Sequence, residues 1–222
     1  MKRPDRICGV ILDVDGTLVD SNDAHARAWE TAFRDHGYDI PFARIRPLIG
    51  MGGDKLLPQL ANLEPDSISG RLVSDQRRVL FLDQHLPLLR PQRGARQLVE
   101  RLLERGVKVA VASSASADEL QRLLRVAAVD DLVEEVISKS DAGASKPDPD
   151  TVALALARIG CPADQVIMVG DTPYDIEAAQ RVGVATIAVR CGGFSNQDLA
   201  GALAVYDDPE ALAVDLDAAI RG

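Results

Sequence analysis

The chain is short of cysteine, of basic charge and of long apolar runs. Three cysteines, Cys8, Cys161 and Cys191, stand among 222 residues. They are odd in number, far apart and without a Cys-x-x-Cys or His/Cys cluster, which argues against a disulfide framework and a zinc site. Incidental free thiols in a reducing compartment are expected instead. Lys and Arg number 25 against 34 Asp and Glu, a formal charge of −9. Only short basic pairs such as Arg77-Arg78 occur, so no nucleic-acid or anionic-membrane partner is expected. The same charge disfavours a phosphate-bearing ligand unless cations, a metal or backbone N–H groups are assembled locally. No run approaches the roughly 18 residues of a membrane span. The apolar stretch after Met1-Lys2-Arg3-Pro4-Asp5-Arg6 is too short for a signal peptide, so a cytoplasmic protein is expected. Gly and Pro number 17 and 12, too few for collagen-like or low-complexity sequence.

What is present is core material: 46% of residues are hydrophobic. Four nearly continuous apolar runs read as strands covered on both faces. They are Ile7–Leu12, Val107–Ala112, Val166–Val169 and Val184–Val189, and each ends at a polar cluster. Helical patterns separate them, over Gly94–Arg105, Asp118–Val126, Val152–Ile159 and Tyr174–Val182. Asp148 is the expected N-cap of the third, with Pro149 at its first position. The alternation predicts an α/β fold, a doubly wound parallel sheet of Rossmann-like form. One stretch breaks it. Residues 21–89 hold no comparable strand run, and Ala28, Trp29, Ala32 and Phe33 form one helical stripe. A helical insertion is therefore expected there, with core segments 1–20 and 90–222 around it.

Chemistry concentrates at the strand ends. Asp13-Val14-Asp15-Gly16-Thr17 follows the first run, and residues two apart on a strand share a face. Two carboxylates so close need a cation or a shared proton. Ser113-Ser114 follows the second run, Lys146 precedes a helix, and Asp171 and Asp175 follow the run at Val166–Val169. Each has a bland alternative: an Asx turn, an ST turn, a surface lysine, a helix cap. Their joint order on one sheet edge favours a site, because α/β sheets bind ligands beyond the carboxyl ends of their strands.

This order resembles the haloacid dehalogenase superfamily, in particular its phosphatase branch with a helical cap inserted after the first motif. The resemblance covers essentially the whole chain. It implies that Asp13 is a nucleophile forming an aspartyl-phosphate, ionised at neutral pH without an activating base. Asp15 would protonate the leaving alkoxide and later deprotonate water, and its neutral form is expected beside Asp13 and an incoming phosphate. Ser113 would donate to the phosphoryl group and Lys146 would offset its charge. Mg²⁺ would be held by the Asp13 carboxylate, the Asp15 carbonyl and the Asp171 carboxylate. Thr17 and Asp175 would support these groups from behind, Asp175 by orienting Lys146 or a metal-bound water.

Substrate choice would fall to the cap. Ser114 and His25 are expected to contact substrate, and the string His25-Ala26-Arg27-Ala28-Trp29 is similar to that region of β-phosphoglucomutase, a relative. Two departures argue against a mutase. Gly170 stands before Asp171 where such mutases carry an acid, and the loop Gly50-Met51-Gly52-Gly53-Asp54-Lys55 has no arginine for a second phosphate. In that loop Gly52, Gly53 and Lys55 are expected to meet the leaving group. It lacks the Gly-Lys-[Ser/Thr] ending of a nucleotide P-loop. A phosphoaccepting receiver or a silent binding protein is the non-enzymatic alternative. The expected partner is a small-molecule phosphate ester of phosphoglycolate, sugar-phosphate or nucleotide type, and the expected assembly a monomer or weak homodimer.

Overall fold

The computed structural model describes residues 7–220, so the segment from Met1 to Arg6 lies outside the described residues. Strands β1 (Gly9–Leu12), β2 (Lys108–Ala112), β3 (Glu135–Ile137), β4 (Val166–Gly170), β5 (Ala185–Val189) and β6 (Ala204–Tyr206) form one parallel sheet in the order β3-β2-β1-β4-β5-β6. The four apolar runs supply β1, β2, β4 and β5. The short edge strands β3 and β6 have mixed burial, which is why no continuous apolar run announces them.

Strand side chains alternate between two helical layers. Val10, Leu12, Val109, Val111, Ile167 and Val169 pack into one core with the leucines of α5 (Ala95–Glu104) and α6 (Ala117–Val126). The same core takes in α9 (Pro209–Val214) and α10 (Leu216–Ile220). Ile11, Ala110, Ala112 and Met168 face the other way, against α7 (Asp150–Ile159) and α8 (Pro173–Arg181). Small residues on that face let α7 sit close to the sheet, since the strands there offer alanine where the first face offers valine.

Between β1 and β2 the chain is helical: α1 (Asn22–Asp35), α2 (Phe42–Ile45), α3 (Gly53–Ala61) and α4 (Ile68–Leu80). A wider π-type turn over Phe81–His85 and a 3₁₀ turn over Leu86–Leu88, holding Pro87, lead back to the core. Ala28, Trp29, Ala32 and Phe33 are buried on one stripe, as their spacing predicts.

Two expectations need correction. Cys8, just before β1, and Cys161, just after α7, form a disulfide across 153 residues of chain. Spacing along the chain hides this, because the packing of α7 against the sheet, with Ile159 close to Gly9, is what returns it to the first strand. Cys191 alone is free, and burial pushes its thiol up to about 12. Asp148 does not cap α7. Pro149 holds the N-cap position without a side-chain bond, and the Asp148 carboxylate pairs with Lys55 and Arg181. Among the described residues no helix is long and apolar enough to cross a membrane.

Candidate active site

β1 ends at Asp13, whose backbone N–H still donates to Val169 in β4, so the carboxylate stands at the sheet's carboxyl edge. Gly16 then turns the chain at φ +80°, and a side chain there would overlap Asn22 and the Asp171 carboxylate. Lys146 is buried to 1% exposure and its Nζ reaches Asp13 Oδ1 at 2.5 Å and Asp175 Oδ1 at 2.7 Å. The other Asp175 oxygen accepts from the backbone N–H and hydroxyl of Thr172, in the capping box that starts α8. Both oxygens of Asp175 are thus engaged, which suits support of Lys146. Thr17 Oγ1 lies 3.3 Å from Asp13 Oδ2 and 3.2 Å from Asp171 Oδ1, bridging the two carboxylates.

The electrostatics follow from burial. Desolvation raises Asp13 from an ordinary value of 3.8 to about 7: Asp175 and Asp15 add to it and Lys146 opposes it. Burial beside two other carboxylates thus opposes ionisation of Asp13, and Lys146 favours it. Asp171 is raised well above its ordinary value by burial, Asp13 and Asp175. Lys146 is raised despite burial, because Asp13 and Asp175 hold its charge.

Asp15 differs. Burial would raise it, but His25 and then Ser21 outweigh burial and hold it below its ordinary value. Its Oδ1 accepts from Ser21 Oγ at 2.5 Å and lies 2.7 Å from His25 Nε2. His25 Nδ1 faces Arg77 Nη2 at 3.2 Å. A guanidinium only donates, so Nδ1 accepts and the imidazole proton sits on Nε2, aimed at Asp15. The neutral Asp15 is expected beside an incoming phosphate, whereas in this structure its partners favour the charged form.

A cavity of about 50 Å³ lies between this edge and the helical insertion, lined by Asp13, Asp15, His25, Trp29, Arg77 and Glu119 among others. Gly52, Gly53 and Ser114 line it too. Gly53 packs flat against the Trp29 ring, where a Cβ would come within 3.2 Å, and the Gly52 N–H donates to Ser145 Oγ at 3.0 Å. Ser114 Oγ donates to the Gly50 carbonyl at 3.2 Å. Ser113 is fully buried and its Oγ accepts from the Ala115 N–H at 3.0 Å, the ST-turn geometry. Lys55 is not in the cavity: its ammonium pairs with Asp148 on the seam between α3 and the core. The expected contact of Lys55 with a leaving group is thereby corrected, because its nearer carboxylate partner draws it outward.

Arg77, Glu119, Asn22, Ser21 and Ser145 belong to the site and went unread as site residues in the sequence, and Trp29 was read only as part of a helical stripe and a resembling string. Arg77 counted only as half of a basic pair. Glu119 did leave a signal: it shares the buried stripe of α6 with Leu120, Leu123 and Leu124. An acid on an apolar stripe needs a partner, and here the partner is Arg77 Nη1 at 2.7 Å. Asn22 donates from Nδ2 to Asp171 at 2.8 Å and to the Gly192 carbonyl at 3.0 Å.

Asp13, Asp171 and Asp175 each bring an oxygen within 4.8 Å of the others. The donors are all hard oxygens, two of the carboxylates are pushed toward protonation, and Asn22 Oδ1 is buried beside them without a hydrogen-bond partner among the described residues. These residues fit a divalent cation.

Residues 10–189 match the haloacid dehalogenase-like hydrolase family. The chain is 30% identical over 194 residues to a phosphoglycolate phosphatase of Aliivibrio fischeri, covering 82% of this chain and 84% of that protein. It is 28% identical over 186 residues to a putative pyrophosphatase, PpaX, of Caldanaerobacter subterraneus subsp. tengcongensis, covering 83% and 82%. A solved hydrolase from Pseudomonas syringae superposes with a TM-score of 0.88 at 30% identity, over 95% of this chain and 98% of that one. The chain belongs to the haloacid dehalogenase-like hydrolases. With its buried acidic site it is an enzyme of the phosphatase type within that family.

Proposed function

We propose that this enzyme is a Mg²⁺-dependent phosphatase that hydrolyses small-molecule phosphate monoesters through an aspartyl-phosphate on Asp13. The observation that carries the reading is the buried Asp13 carboxylate, tied to Lys146 at 2.5 Å and bridged through Thr17 to Asp171. Asp13, the Asp15 main-chain carbonyl and Asp171 would hold the ion, in a set of hard oxygen donors that suits Mg²⁺. Bound there, Mg²⁺ supplies positive charge against the oxygens of the phosphoryl group and keeps Asp13 ionised.

The chain's own groups do the rest. An Asp13 oxygen bonds to phosphorus as the bond to the leaving oxygen breaks. Asp15, whose partners favour its charged form, gains a proton once a phosphoryl dianion sits beside it, and gives that proton to the departing alkoxide. Water then attacks the acyl phosphate while Asp15 takes a proton from it, which returns Asp13 and releases phosphate. Ser113 and Lys146 stabilise the transferring group. Residues 21–89 act as a cap over a core of residues 1–20 and 90–222. Its opening about residues 18–22 and 87–93 admits substrate, because the closed cavity is only about 50 Å³. Phosphoglycolate-, sugar-phosphate- and nucleotide-type monoesters define the substrate range, the first being the substrate in one relative's name. The enzyme works in the cytoplasm as a monomer or weak homodimer.

The test is phosphate release from a panel of phosphorylated metabolites, with and without Mg²⁺. Asp13→Asn is expected to lose more than about a thousandfold in turnover while still folding. Comparable release by the wild type and by an Asp13→Asn sample shown by mass spectrometry to be free of deamidation would refute the nucleophile.

A further inference from the structure

Lys146 reaches Asp13 from a loop, not from a strand. Residues 142–149 run between the 3₁₀ turn at Lys139–Asp141 and the start of α7, and no strand pairing holds them. The Asp148 N–H donates to the Ser145 carbonyl at 3.0 Å, which closes a turn around Lys146 and Pro147. That bond shapes the turn without fixing its place on the sheet edge. A lysine side chain is long and flexible, so its ammonium keeps one position only where the backbone beneath it is fixed.

The fixing comes from the helical insertion. Asp54 stands in the first turn of α3 but caps nothing there. Its carboxylate crosses to the core instead. Oδ1 accepts from Ser145 Oγ at 2.6 Å and pairs with Lys139 Nζ at 2.8 Å, and Oδ2 accepts from the Ser145 N–H at 3.3 Å. Ser145 Oγ accepts in turn from the Gly52 N–H at 3.0 Å. Ser145 is fully buried, and a Cβ on Gly52 would come within 2.6 Å of it, so the two segments are pressed close. Among the described residues, the N–H and hydroxyl of Ser145 thus bond to Asp54 and Gly52 and to no residue of the core. Lys139 joins the same carboxylate to the loop after β2, because its own N–H donates to the Ala115 carbonyl at 2.9 Å. Hydrogen bonds to an ionised carboxylate are shorter and stronger than those between neutral groups. Lys55, the next residue, pairs with Asp148 on the same seam, but both side chains are about a third exposed and neither bonds to Ser145.

We propose that Asp54 is a positioning residue for Lys146. By holding Ser145 it fixes the turn on which Lys146 stands, so the ammonium is aligned with Asp13 only while the insertion is seated on the core. Closure over a bound ester then completes the charged site as well as excluding water. The inference rests on the phosphatase reading above and adds to it a residue that lies outside the cavity. Misplacing an aligned group by about an ångström costs roughly a hundredfold in rate.

The experiment has two readouts. One is kcat and KM at saturating Mg²⁺ for p-nitrophenyl phosphate, or for the best ester of the metabolite panel where that compound is not accepted. The other is the rate at which acetic anhydride labels Lys146, read by peptide mass spectrometry against Lys108, an exposed residue at the opposite end of the sheet. Asp54→Ala is expected to lower kcat by at least about tenfold while KM changes by less than about threefold. Lys146, 1% exposed in the intact protein, is expected to label at least about tenfold faster in that variant. Asp54→Asn keeps an acceptor oxygen for the Ser145 hydroxyl and is expected to recover most of the loss. Ser145→Ala cuts the link from the core side and is expected to give the same two effects. The double variant is then no slower than the worse of the single ones. Ser145→Ala and Asp54→Asn decide the matter even where Asp54→Ala does not fold. A change in KM alone, with kcat within about twofold, makes Asp54 a closure contact of the Lys55 kind and overturns the assignment. An unaltered labelling rate of Lys146, or a loss in Asp54→Asn as large as in Asp54→Ala, overturns it too. If the wild type releases phosphate from neither p-nitrophenyl phosphate nor any panel compound, the phosphatase reading falls, and the labelling rate alone decides whether Asp54 holds Lys146.

Discussion

Asp13 carries a proton problem that its position in the sequence does not reveal. In water a carboxylate of this kind is ionised well below neutral pH, yet burial with Asp175 and Asp15 nearby brings Asp13 to about 7. Asp171 moves the same way, for the same reason. The sign of the linkage is set by which state holds the protons. The folded, metal-free protein keeps these two protons where the unfolded chain has already released them, so stability falls as pH rises from about 4 toward 7. Mg²⁺ competes with those protons. The rise in melting temperature on adding Mg²⁺ is therefore expected to be small at pH 5 and to grow steadily to pH 8. A cation effect of constant size across that range would contradict the assignment of Asp13 and Asp171 as ligands. Asp15, two residues on, goes the opposite way because His25 and Ser21 donate to it. Two residues of one type thus shift in opposite directions, decided by their partners.

β1 and the turn after it do more than end a strand. The alternation of Val10, Ile11 and Leu12 between the two cores pins the strand's facing, and Asp13 emerges where the next partner strand still holds its N–H. Gly16 must adopt φ +80° and must carry no side chain, because Asn22 and Asp171 close over it. Gly16→Ala is expected to cost more than about 1–2 kcal/mol from the left-handed backbone alone. It should also displace Asp171 and so weaken the Mg²⁺-dependent gain in stability. Chemical denaturation with and without Mg²⁺ checks both effects, and an unchanged midpoint would show that the turn tolerates a methyl group. α8 shows an element whose start is written in four letters: Thr172-Pro173-Tyr174-Asp175 places a cap, a proline at the first position and a reciprocal acid. β3 and β6 lack any such mark. They are three residues each, with no fully buried run, and only pairing with β2 and β5 makes strands of them.

The seam between the helical insertion and the core is held by polar contacts from several directions. Ser145, next to Lys146, donates to Asp54 Oδ1 at 2.6 Å and accepts from the Gly52 N–H, while Lys139 adds a pair to Asp54 at 2.8 Å. Tyr174 donates to the Pro47 carbonyl at 2.7 Å. Lys55 joins this seam through Asp148, with both side chains about a third exposed. Such a pair contributes about 0–1 kcal/mol. Lys55→Ala is expected to leave the melting temperature nearly unchanged and to alter KM by the same factor for every accepted ester, since it acts on closure and touches no leaving group. A KM change confined to some esters would return Lys55 to the substrate.

The strand that ends at Asp13, the lysine, the paired aspartates and the helical character of residues 21–89 were legible in the chain because each depends on local rules. Strand ends, turn chemistry and apolar period repeat wherever the same residues recur. Folding in three dimensions chose the rest: that Cys8 meets Cys161, that Lys55 turns away, and that Arg77 and Glu119 close a cavity from helices far apart in sequence. Those outcomes come from which surfaces pack together and how much water is left between them. No periodicity along one chain records that.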